Sequence, residues 1–97
     1  MTSTPDIVFS PTAQRQLADI KADERFTETA RQEKIVEILA ACRDCAAFPH
    51  RWVVGKVEGT RERRVRPFKI VYRPIESGVE VAAIWHERQS REILPPV

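Results

Sequence analysis

The chain has 97 residues, 42% of them hydrophobic and 31% charged, with a formal net charge of +2; that is the composition of one water-soluble domain spanning 1–97, too short for a second. No stretch approaches the ~18 uncharged apolar residues of a membrane span, and Met1-Thr2-Ser3-Thr4-Pro5-Asp6 lacks the positive start and apolar run of a secretory signal, so a cytoplasmic protein is expected. Two cysteines are too few for a disulfide framework.

Ile7-Val8-Phe9, rich in β-formers and cut off by Ser10-Pro11, predicts a strand over Asp6 to Phe9. Ser10 is placed to cap a helix, with Pro11 at the first helical position, where its missing N–H costs nothing. That helix should run to about Ala22 with Ala13, Leu17 and Ile20 on one face. Thr27 is a second cap. Beyond it Ala30, Ile35, Ile38, Leu39 and Cys42 recur at helical spacing, which predicts a longer amphipathic helix ending near Cys45. Residues 46 to 60, with Pro49, Gly55 and Gly59, read as an irregular connection with room for a short strand at Trp52 to Val54.

From Arg61 the period changes. Strands are expected over Arg61 to Arg66, Pro67 to Arg73 and Val79 to His86, the last two joined at Ser77-Gly78. In the middle strand Phe68, Ile70 and Tyr72 share one face, with Lys69, Val71 and Arg73 on the other. In the last, strict alternation puts Val79, Val81, Ala83 and Trp85 on one face and Glu80, Ala82, Ile84 and His86 on the other. The order β-α-α-β-β-β predicts an α+β fold, a helical hairpin packed on a small, mostly antiparallel sheet.

The net charge is a cancellation: residues 1 to 50 carry 6 Lys/Arg against 8 Asp/Glu, and residues 51 to 97 carry 10 against 6. Arg61, Arg63, Arg64, Arg66, Lys69 and Arg73 against the single Glu62 concentrate +5 in thirteen residues. An acidic partner suits that run, although basic residues on an edge strand also discourage aggregation. Cys42-Arg43-Asp44-Cys45 is a C-x-x-C motif without the second pair that zinc would need, at a helix end where a redox dithiol would want a helix start. Two packed thiols are expected, with no metal or cofactor. Trp52 and Trp85 suit either the core or base stacking, and His86 either a structural strand end or proton transfer.

Several of these pieces, in this order, resemble the RelE/ParE superfamily of toxins from type II toxin–antitoxin systems. They are Val8-Phe9-Ser10-Pro11-Thr12-Ala13 leading into a helix, Gly59-Thr60-Arg61-Glu62 entering a strand, Pro67-Phe68-Lys69-Ile70-Val71-Tyr72-Arg73, and Ile84-Trp85-His86-Glu87-Arg88 closing the last strand. The resemblance implies a RelE/ParE-like fold and a cognate antitoxin presenting an acidic, amphipathic segment, in a hetero-oligomer. It also implies one of two activities. RelE-like toxins are ribosome-dependent mRNA endoribonucleases, whereas ParE-like toxins poison DNA gyrase without being enzymes.

On the ribonuclease reading, Lys69, Arg63, His86 and Arg88 would be catalytic, with Glu87 for the second proton step. That branch commonly has a tyrosine near the C-terminus. Here Ile93 stands in that region and Tyr72 is the only tyrosine, and a net +2 is small for a ribosome binder. These features favour the gyrase-directed reading. Arg61, Arg63, Arg64, Arg66, Lys69, Arg73, Trp85, His86 and Arg88 are then the expected contacts for target or antitoxin. A chain that only binds its antitoxin is a third reading.

Overall fold

The computed structural model describes residues 4–87. β1 (Asp6–Phe9) leads into α1 (Pro11–Ala22), α2 (Glu28–Ala47) folds back beside it, and four strands follow: β2 (Val53–Val54), β3 (Arg61–Val65), β4 (Phe68–Ile75) and β5 (Gly78–His86). The sheet order is β1-β5-β4-β3-β2, with β1 parallel to β5 and every other pairing antiparallel. The fold is α+β, two helices packed on a five-stranded mixed sheet.

Both predicted caps are present: the Ala13 amide donates to Ser10 Oγ at 3.0 Å, and the Ala30 amide to Thr27 Oγ1 at 3.1 Å. α2 runs past Cys45 to Ala47 because the Phe48 amide still reaches the Asp44 carbonyl, at 2.9 Å. Its buried stripe starts at Ile35; Ala30, in the first turn, is exposed and Leu39 only half-buried. Ala13 of α1 and Ile38, Ala41, Cys42, Cys45 and Ala46 of α2 pack on Ile70 and Tyr72 of β4 and Val79, Val81 and Ile84 of β5.

That last set corrects the expected alternation in β5. Tyr72 pairs with Val81 and Val71 with Ala83, so Ala82 has no partner across the ladder and forms a β-bulge. One extra residue turns every later side chain over. Val79 and Val81 therefore face the helices together with Ile84, whereas Ala83 and Trp85 form a second cluster with Val71 on the opposite face. Ser10 holds the bulge: its amide donates to the Val81 carbonyl at 3.0 Å and its hydroxyl to the Ala82 carbonyl at 2.6 Å. Further along, Gln16 Oε1 of α1 accepts from the Ile84 amide at 2.6 Å. α1 thus satisfies the β5 backbone beyond the end of its pairing with β1 at Val81.

The β4–β5 hairpin closes on Glu76-Ser77, not Ser77-Gly78; Gly78 is already paired with Ile75 and, across the sheet, with Asp6. A Cβ at Gly78 would run into the Asp6 backbone, so glycine is required there by the approach of β1 and not by a turn. β3 and β4 are joined by Arg66-Pro67, whose peptide bond is cis. β4 extends through Pro74, past its last β3 partner Tyr72, where the strand has a neighbour on one side only and tolerates a missing N–H.

Candidate functional site

The register sorts the basic run onto two faces. Arg61 lies opposite Tyr72 and Arg63 opposite Ile70, on the helix side, while Arg64 pairs with Lys69 on the open side of the sheet, together with Arg73. Most of these charges have an acid within reach. Arg63 meets Asp44 of α2 at 3.3 Å, Arg64 meets Glu87 at 3.1 Å, Lys69 meets Glu62 at 3.3 Å and Arg73 meets Glu80 at 2.7 Å. The Lys69–Glu62 pair is mostly buried, its side chains 14% and 13% exposed. Arg61 spends its guanidinium on the carbonyls of His50 and Trp52, at 3.2 and 2.8 Å. Arg66 is exposed, and no acidic partner is described for it.

Of the other expected contacts, Trp85 is 2% exposed within the open-face cluster, and its indole N–H has no hydrogen-bond acceptor among the described residues. His86, at the end of β5, meets Phe68 edge-on with ring centroids 5.5 Å apart. Arg88, Ile93 and the tail lie outside the described residues. Lys69 and His86 are on neighbouring strands but on opposite faces, Lys69 opposite Trp85 on the open side and His86 opposite Phe68 on the helix side, to which Arg63 also projects. The three residues expected to act together in RNA cleavage are therefore divided between two sides of the sheet.

Cys42 and Cys45 are free and fully buried. Burial pushes both thiols up to about 12. Tyr72, between them and the loop after α2, is pushed up to about 12 by burial; its hydroxyl donates to the Pro49 carbonyl at 2.8 Å and adjoins the Cys45 thiol. The C-x-x-C motif is packing, and among the described residues no group of three or more His, Cys, Asp or Glu is placed to hold a metal ion.

The stretch 46 to 60, read from sequence as an irregular connection with room for a short strand at Trp52 to Val54, holds that strand as β2 (Val53–Val54), and the residues before it are ordered around cations. The Arg63 guanidinium lies 4.7 Å from the Trp52 ring centre, and that of Arg51 lies 5.6 Å from Trp52 and 5.7 Å from Phe48. The legible signal was the interleaving of Phe48, His50, Arg51 and Trp52 within five residues.

The family model for the ParE toxin of type II toxin–antitoxin systems, parDE, matches residues 7–91. The chain belongs to this ParE toxin family. In fold it is similar to a structure of the chromosomal ParDE toxin–antitoxin system from P. aeruginosa, with a TM-score of 0.73 and 12% identity over 86% of this chain and 96% of that one. It is also similar to the YoeB dimer from Staphylococcus aureus, with a TM-score of 0.63 and 14% identity over 87% and 99%. A heterotetrameric YoeB–YefM toxin–antitoxin complex from Staphylococcus aureus gives a TM-score of 0.60 and 15% identity over 87% and 99%. No curated protein matches by sequence. The ParE match runs from β1 past the end of β5, so the bulged strand and the ion-paired β3–β4 hairpin both lie inside it. In this ParE-family toxin no described helix is long and apolar enough to cross a membrane.

Proposed function

We propose that this type II toxin inhibits DNA gyrase as a binding protein, without chemistry of its own, and that a cognate antitoxin neutralises it in a cytoplasmic hetero-oligomer. Beyond family membership, the supporting observation is the internal pairing of the cations that RNA cleavage would need. A phosphorane-stabilising lysine or arginine must be free to meet a developing charge. Lys69 is held by Glu62 in a mostly buried pair, and Arg63 is turned to the helix side against Asp44. Trp85 is buried, which leaves Arg64, Arg66 and Arg73 as the more exposed members of the basic set to meet an acidic antitoxin segment.

Cells induced to express the toxin test this reading through pulse-labelling. Thymidine incorporation should stop before methionine incorporation. Methionine incorporation failing first would transfer support to the RelE-like mRNA endoribonuclease. That outcome would also require Lys69→Ala and His86→Ala to abolish codon-positioned cleavage. Normal growth on expression would leave only antitoxin binding.

A further inference from the structure

α2 carries apolar side chains on two sides. Ile35, Ile38, Ala41, Cys42, Cys45 and Ala46 face the core. At about 100° per residue, Thr29, Glu33, Val36, Ala40, Arg43 and Ala47 fall along the line directly opposite, away from the sheet. All are exposed except the half-buried Ala40, and Val36 is 62% exposed. A surface helix usually reserves that stripe for polar and charged residues. Here its middle is a valine and an alanine. Its two charges, Glu33 and Arg43, are in no ion pair among the described residues.

The steps along the stripe alternate four and three, the spacing with which one helix packs lengthwise on another. Its order is also its own complement. Val36 and Ala40 stand two residues either side of Ile38, Glu33 and Arg43 five, and Thr29 and Ala47 nine. A second α2 laid antiparallel, with a twofold axis level with Ile38, sets Val36 beside the partner's Ala40 and Glu33 beside the partner's Arg43, and the reverse. We infer that two copies of this chain associate back to back through α2. The small side chains of Ala40 and Ala47 let the helices approach, and two symmetric ion pairs fix direction and register. Glu37 comes near its counterpart at the axis, but Lys34 already holds it at 3.0 Å. The charge order selects this partner, because a purely acidic segment or a nucleic acid would gain at Arg43 and lose at Glu33. One helix face is a small interface, so the dimer is weak and depends on concentration. The helices cover one side of the sheet only, so the paired copies keep both open faces, with Arg64 and Arg73, outward. The inference does not depend on gyrase being the target.

Sedimentation of the full chain from ~1 µM to ~1 mM, the range of weak association, tests it. The wild type should dimerise reversibly. Glu33→Arg and Arg43→Glu should each weaken the dimer about tenfold, with unchanged thermal transitions, because each brings like charges together across the axis. The double swap Glu33→Arg/Arg43→Glu should restore it to within about threefold, the signature of a direct pair. Val36→Glu, at the centre of the stripe, should abolish it, and Arg64→Glu/Arg66→Glu, on the basic hairpin, should leave it unchanged. A chain that stays monomeric throughout, or single reversals with no recovery in the double swap, would overturn the inference. So would a dimer that survives Val36→Glu, or one that Arg64→Glu/Arg66→Glu dissolves.

Discussion

Ser10 combines three roles in one side chain and amide: it caps α1, and it binds the two successive β5 carbonyls that the bulge turns to the same side. Ser10→Ala keeps the backbone bond but removes both hydroxyl contacts, and should cost about 1–2 kcal/mol in urea unfolding, the upper part of the range for a lost cap. Gly78→Ala should cost about 1–3 kcal/mol, as for overpacking, by driving β1 from its parallel seat on β5. The buried thiols and Tyr72 make a different prediction, because their protons are held more tightly folded than unfolded. Their contribution is fully present below the unfolded values near 9 to 10 and falls as pH rises toward about 12. The melting temperature should therefore decline above pH ~9. Native Cys42 and Cys45 should resist a thiol reagent at pH ~8 that labels both in denaturant.

Among the elements, β1, α1 and the caps were legible because each has a sharp local signal: a Pro, a hydroxyl, a short apolar run. The bulge in β5 was not. Between Val79 and Trp85 only Glu80 is polar, so a period of two carries no contrast at Ala82, and what shifts the register is a distant residue, Ser10. The basic hairpin was legible as charge but not as ion pairs, since Glu80 becomes the partner of Arg73 and Asp44 that of Arg63 only once strands and helix are assembled. This division bears on mutation. Lys69→Ala leaves Glu62 mostly buried without its cation and should cost about 1–3 kcal/mol of stability. Arg64→Glu with Arg66→Glu should leave stability nearly unchanged, because exposed pairs contribute little, yet weaken antitoxin binding about tenfold by calorimetry.

Taken whole, the molecule has a total of +2 made from an acidic first half and a basic second half. The fold brings part of each together, as at Arg63 and Asp44, and the strands neutralise much of the rest among themselves. What remains outward is a modest basic face, the surface on which the proposed antitoxin and target binding rests. The most direct measurement is a supercoiling and DNA-cleavage assay with purified gyrase and purified toxin at micromolar concentration. Inhibited supercoiling or trapped cleavage complexes, relieved by the antitoxin, is the expected result. Unaltered gyrase, together with codon-positioned mRNA cleavage on ribosomes, would contradict it.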